Sequence, residues 1–432
     1  MFITKNLSVN QKGHLTFAGM DTVELARKHQ TPLYLMDEDM IREKCRIFRR
    51  ATETYFESGE VLYASKAAAF VRMYEIIHEE NLSVDVVSGG ELYTAIQAGF
   101  PREKIYFHGN NKSLPEMEFA VESGIGYFIV DNLYELQNVN RIAGEKNRKQ
   151  NILLRITPGI DPHTFDAVAT GKVDSKFGFA IETAQALEAV KEALACENIN
   201  LVGYHCHIGS QVFEHTLFSD SARIMLNFSA DIKNQLGYEA KVLDLGGGFG
   251  IRYVERDAEL DIDGCIRMLA DTVKEECAKH NLKEPKILLE PGRSIVGDSG
   301  ITLYTIGNIK EIPGYKKYVA VDGGMADNPR YALYQAEYTA VVANKANEEK
   351  NYTCTIAGKC CESGDMIQEN AKIQTPKSGD ILAVFSTGAY NYSMASNYNK
   401  LPRPPIVMVK NQEDYVAVKR ESYEDLIKNE LV

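Results

Sequence analysis

Eight short β-prone runs alternate with longer helix-periodic stretches between about residues 60 and 290, and this alternation narrows the possible folds sharply. The runs cover 61–65, 83–87, 104–107, 127–130, 152–156, 201–205, 241–245 and 286–289. Between them lie segments such as 90–99, which reads as a helix closing on Gly99. Strands separated by helices pair in parallel, and eight such units over roughly 230 residues suit a (β/α)8 barrel better than an open doubly wound sheet.

After residue 300 the pattern changes to short β-branched runs separated by turns, at 301–309, 318–321, 337–342, 352–356, 381–385, 406–410 and 415–419. That is the signature of an all-β domain, a sandwich or barrel. The first 30 or so residues, with Leu15-Thr16-Phe17-Ala18-Gly19, are expected to add a strand to it. The expected organisation is a barrel over 34–297 and a β-domain built from 1–33 and 298–432.

The 432 residues are enough for two domains, and 44% apolar with 25% charged residues describes a globular chain with ample core. A net charge of −12 argues against a nucleic-acid partner, which would demand a basic surface. No window approaches the length of an apolar membrane span, and the start Met1-Phe2-Ile3-Thr4-Lys5-Asn6 lacks the apolar core of a secretion signal. The eight cysteines show no C-x-x-C spacing, so reduced thiols in a cytoplasmic protein are expected rather than zinc or disulfides.

In a (β/α)8 barrel the chemistry is built at the carboxyl ends of the strands. Those ends carry Lys66, Asp85, His108, Asp131, Arg155, His205 to Ser210, Gly246-Gly247-Gly248 and Glu290-Pro291-Gly292-Arg293. An amine such as Lys66 in this place is suited to hold an aldehyde cofactor covalently, which points to pyridoxal phosphate (PLP). The glycine run after the seventh strand brings backbone N–H groups close enough for a phosphate. Glu290 could keep a pyridine nitrogen protonated, or it could simply pair with Arg155 or Arg293. His207 could lie flat on the cofactor ring. A metal held by His205 and His207 lacks an obvious third ligand, so no metal is expected.

The second region adds three polar clusters: Asp322 to Arg330 with Tyr334, Cys360 to Asp365, and Thr387 to Asn399. Each could be a plain surface loop. The Cys360-Cys361-Glu362 cluster places thiols beside carboxylates, a combination suited to proton donation.

Taken together, Tyr63-Ala64-Ser65-Lys66-Ala67, Asp85 to Glu91, His108 to Ser113, His205 to Gln211, Gly246-Gly247-Gly248, Glu290-Pro291-Gly292-Arg293, Asp322 to Tyr334, Cys361 to Asp365 and Gly388-Ala389-Tyr390 make the chain resemble the diaminopimelate decarboxylases. These are PLP-dependent carboxy-lyases of the alanine-racemase-like group (fold type III). The resemblance runs from Gly13-His14-Leu15 to Arg403-Pro404.

The resemblance implies decarboxylation of meso-2,6-diaminopimelate to L-lysine. It implies that Lys66 binds PLP, His207 stacks on its ring, and Glu290 faces its pyridine nitrogen. Ser210, Gly247, Gly248, Gly292 and Arg293 would cradle the phosphate, with Tyr390 beside them. Arg293, Arg330 and Tyr334 would bind the distal carboxylate of the substrate and Glu362 its distal ammonium, with Tyr390 also contacting the substrate. Cys361 would be the proton donor, reaching with Glu362 into the site of a partner subunit, which makes the enzyme a homodimer.

Two positions depart from the family's pattern: Tyr331 follows Arg330 where a proline is usual, and Phe165 stands in His163-Thr164-Phe165 where a second histidine is usual. Related decarboxylases acting on ornithine, lysine, arginine or a carrier-tethered amino acid are the rival assignments. Arg330 speaks against a substrate ending in a bare amine. A catalytically inactive regulator of the same fold would be expected to lack Lys66 or Cys361.

Overall fold

The computed structural model describes residues 2–159 and 174–431, so the His163-Thr164-Phe165 loop lies outside the described residues. The chain divides into two compact units. One comprises Lys44–Gly250 and Glu259–Gly292, and the other Met1–Glu43, Ile251–Ala258 and Arg293–Val432. These divisions differ from the boundaries expected at 34 and 297. Leu33–Asp37 hydrogen-bonds into the β-rich unit, between Gly300–Ile312 and Ile406–Lys410, and carries the chain's first 43 residues with it.

In the first unit all eight expected strands form: Gly59–Ala64, Ser83–Val86, Ile105–Phe107, Tyr127–Val130, Gln150–Thr157, Ile199–His205, Val242–Asp244 and Lys286–Leu289. Each pairs in parallel with the next, and Lys286–Leu289 pairs with Gly59–Ala64, which closes the barrel. Leu62, Tyr106, Ile129, Leu153, Val202, Val242 and Leu288, each from a different strand, form one apolar cluster.

The returning helices start where the sequence supplies polar caps. Ser88 Oγ accepts from Glu91 N, Asn132 Oδ1 accepts from Glu135 N, and Ser113 with Glu116 forms a capping box. The helix Leu114–Ser123 then stops at Gly124, whose φ of 72° suits glycine best. Such caps fix where each strand-end loop stops, and so fix the height of the side chains it carries.

The second unit is built on a nine-stranded sheet of the described residues. Its long strand Gly300–Ile312 pairs with Leu33–Asp37 and Ile381–Phe385 along its first half. From Ile306 onward it pairs with Lys316–Val321, with an irregularity between Ile306 and Ile309. Leu15–Phe17 does not join that sheet. It forms a three-stranded sheet of its own with Leu7–Val9 and Met20–Asp21, and its side chains reach the same core as Ile301, Val341 and Phe385.

Candidate active site

Lys66 occupies the single 3-10 turn Ser65–Ala67 that follows the first barrel strand. Its neighbours Ser65 and Ala67 are buried while the lysine itself is exposed, so the backbone is anchored and the amine is left accessible.

Glu290 follows the eighth strand and is 7% exposed. Its Oε1 lies 2.8 Å from Nε2 of His108, and its Oε2 lies 3.3 Å from Nε2 of His205. Burial alone would push the carboxyl up, but the two imidazoles outweigh it and hold Glu290 well below the ordinary carboxylate value. Two other buried carboxyls behave in the opposite way. Asp244, at the end of the seventh strand, is pushed well up by burial and then by the charge of Glu290. Asp85 rises to about 6, chiefly through burial. The negative charge of this pocket is therefore concentrated on Glu290.

Burial lowers His205 to about 3, and it lowers His207 well below the usual imidazole value, with Lys66 and Arg155 adding to the effect on His207. Nδ1 of His207 accepts a hydrogen bond from Gly247 N at 3.2 Å, so the proton of its neutral ring sits on Nε2. Gly246 has a φ of 69°, and a Cβ there would crowd the His207 ring at 2.9 Å. Gly248 has a φ of 107°, and a Cβ there would strike the carbonyl of Gly209. The glycine run thus lets the backbones of the sixth and seventh strand ends close on one another. Arg155 is not the partner of Glu290: its Nε is 3.9 Å from Asp131, and its guanidinium lies 4.2 Å from the centre of the Phe177 ring.

In the β-rich unit, Arg293, Arg330 and Tyr390 come together around Tyr253. Arg293 Nη1 donates to the Tyr253 hydroxyl at 2.5 Å, and its guanidinium stands 4.7 Å from the Tyr390 ring centre. Arg330 donates to the Tyr338 hydroxyl at 2.7 Å and lies 4.8 Å from the Tyr253 ring centre. It is 7% exposed and has no carboxylate partner among the described residues. Tyr334 closes the short helix Arg330–Tyr334 and is half-buried. The hydroxyl of Tyr331 donates to Glu369 at 2.9 Å, and Glu369 also holds Lys316.

Cys361 and Glu362 are exposed, on a loop whose base is fixed by Asp365. That carboxylate accepts from Met325 N at 2.6 Å and Cys360 N at 2.7 Å. Burial and the neighbouring Asp365 push the Cys360 thiol up to about 12, which makes it a poor proton donor and leaves the exposed Cys361 as the candidate.

Residues 38–297 match the family described as pyridoxal-dependent decarboxylase, pyridoxal binding domain. The diaminopimelate decarboxylase of Bacillus methanolicus is 51% identical over 421 residues, covering 98% of this chain and 98% of that protein. The enzyme of the same name from Bacillus subtilis is 48% identical over 431 residues, covering 100% of this chain and 98% of that one. The crystal structure of diaminopimelate decarboxylase from M. jannaschii in co-complex with L-lysine superposes with a TM-score of 0.91 at 35% identity, covering 100% and 99% of the two chains. The chain belongs to the diaminopimelate decarboxylase family.

The family's cofactor is pyridoxal phosphate, and the residues present fit it. Among the described residues Glu290 Oε1 is buried without an aligned hydrogen-bond donor, despite its short distance to His108, and can accept from a protonated ring nitrogen. A Cβ on Gly246, Gly247 or Gly248 would meet the backbone carbonyl of Cys206, Glu290 or Gly209, so the run packs closely against the neighbouring strand ends, the kind of glycine backbone that suits a phosphate.

His108, His205 and Glu290 also bring three ligand atoms within 4.8 Å, a set that excludes His207 and that sequence spacing did not suggest. Sequence reasoning likewise passed over Asp244, Tyr253 and Tyr338. Asp244 left a faint signal, as an acidic residue two places before the glycine run. The tyrosines left none.

Proposed function

We propose that this chain decarboxylates meso-2,6-diaminopimelate to L-lysine and CO2, the last step of lysine biosynthesis, as a cytoplasmic homodimer. The observation that carries the substrate assignment is Arg330: a buried guanidinium without a carboxylate partner among the described residues calls for an anion from outside them. A distal substrate carboxylate meets that demand, whereas the terminal amine of ornithine or lysine would meet a like charge.

In this reading Lys66 binds the cofactor, His207 lies against its ring, and Glu290 faces its pyridine nitrogen. The backbone at Gly247, Gly248, Gly292 and Arg293, with Ser210 and Tyr390, lies against its phosphate. When bound, pyridoxal phosphate supplies an electron sink for the pair left behind as CO2 departs. Arg293, Arg330 and Tyr334 anchor the distal carboxylate of the substrate, and Tyr390 contacts the substrate beside them. Glu362 takes its distal ammonium, which fixes which end of the molecule reacts. Cys361 delivers a proton to the carbon that has lost CO2, and Lys66 releases the product.

The exposed Cys361 and Glu362 suit residues that serve a partner subunit. Exposed Tyr93, Leu114, Leu133 and Tyr134 on helices that follow the second, third and fourth barrel strands offer apolar area for such a contact. All eight cysteines are free, in keeping with a reducing compartment, and among the described residues no helix is long and apolar enough to cross a membrane.

The test is turnover of purified protein supplied with pyridoxal phosphate and meso-diaminopimelate, with ornithine and L-lysine in parallel. L-lysine and CO2 from diaminopimelate alone are expected. CO2 from either of the other two substrates, with none from diaminopimelate, overturns the role given to Arg330.

A further inference from the structure

Glu290 is a buried carboxylate whose contacting ion-pair partners among the described residues are two imidazoles. Its two partners reach it from separate strand ends, His108 from just after Ile105–Phe107 and His205 from the last position of Ile199–His205. The three residues are 5%, 1% and 7% exposed. Their backbones are tied into the barrel: His108 N donates to Val86 O, and Glu290 N donates to Gly246 O, each at 2.8 Å. The two imidazoles meet edge to face, 5.0 Å apart at 80°, so each ring limits the rotation of the other.

The chemistry of this arrangement differs from that of an arginine clamp. A guanidinium would occupy both carboxylate oxygens with a fork of parallel N–H donors. Here each imidazole addresses one oxygen, and among the described residues no donor is aligned on the Oε1 beside His108. An acceptor already fixed in direction loses little freedom when a further donor arrives.

We propose that His108 and His205 are positioning residues that hold the two oxygens of Glu290 and keep the carboxylate aimed at the cofactor's pyridine nitrogen. This rests on the role given to Glu290 above. Neither histidine touches substrate in this scheme. They act through Glu290, and their removal frees the carboxylate to rotate or to take up a proton.

The experiment compares His108→Ala and His108→Gln holoenzymes, each in the native and in the Glu290→Gln background. It reads the dissociation constant for pyridoxal phosphate by equilibrium dialysis and the visible spectrum of the bound cofactor. Glutamine places a side-chain N–H near the position of the imidazole Nε2–H, so His108→Gln should rescue what His108→Ala loses. We expect His108→Ala to weaken cofactor binding about tenfold, in line with loss of one close polar contact to a buried carboxylate, and to move the visible band. His108→Gln should stay within about threefold of the native protein. In the Glu290→Gln background His108→Ala should change affinity by less than about twofold, because the group it acts through is gone.

Native affinity and spectrum in His108→Ala overturn the proposal, and so does an equal loss in both backgrounds, which would mark a general packing role. If His108→Ala does not fold, His205→Gln and His205→Ala are read by the same criteria. A native protein that binds no pyridoxal phosphate overturns the function above along with this inference. A native protein that binds it while the His108 and His205 variants behave like the native protein overturns this inference alone.

Discussion

Glu91 shows how one side chain ties the barrel's stability to pH. It accepts a hydrogen bond from Val87 N at 2.8 Å, yet burial, aided by the charge of Asp85, raises its carboxyl to about 7. The folded chain therefore holds a proton there that the unfolded chain has already lost. The stability it contributes is fully present below the ordinary glutamate value and is lost as pH rises through about 7. Glu91→Gln keeps an oxygen to accept from Val87 and removes the titration. Its melting temperature should fall less between pH 5 and pH 8 than that of the native protein, by about 5 °C. Scanning calorimetry of both proteins at the two pH values checks this, and equal falls would refute it. At this scale Lys66, the glycine run and Glu290 could be read from sequence, because position at a strand end was enough to mark them. The tyrosines around Arg330 could not, because Tyr253 and Tyr338 meet it only through the fold and neither stands in a motif.

Among the elements, the sixth barrel strand depends on the absence of one side chain. The register of Ile199–His205 against Gln150–Thr157 shifts between Leu201 and Gly203, and a Cβ at Gly203 would run into the carbonyl of Val242 on the other neighbouring strand. Backbone cannot yield there without opening the ladder that positions His205. Gly203→Ala should destabilise the protein by about 3 kcal/mol or more, seen as a lower urea midpoint. An unchanged midpoint would mean that the two strands separate at little cost. The eight barrel strands were legible because each is a short apolar run bounded by polar caps. Met366–Ile373 was not, because Gln368, Glu369, Asn370 and Lys372 break its apolar pattern, and its strand geometry comes from pairing with Tyr352–Ala357. The destination of Leu33–Asp37 was hidden for a related reason: an apolar run carries no mark of the sheet it will join.

At the scale of the whole molecule, Lys66 and Cys361 lie in different compact units of the chain, and the proposed reaction needs both at one carbon. If each site takes Lys66 from one subunit and Cys361 from its partner, two damaged chains can repair each other. Lys66→Ala alone should abolish turnover. Cys361→Ala alone should lower it by about a hundredfold or more, the usual weight of a positioned proton donor. Co-expressed in equal amounts, the two variants form mixed dimers in which one site carries both lesions and the other carries none. Random pairing makes half of all dimers mixed, so activity should recover to about a quarter of the native value. If both residues served the same subunit, every site of a mixed dimer would keep one lesion, and activity would stay near the mean of the two parents. Purified mixed dimers, tagged differently on each chain and assayed for L-lysine formation, separate these outcomes directly. The same sample measures the oligomeric state, since repair requires that subunits associate.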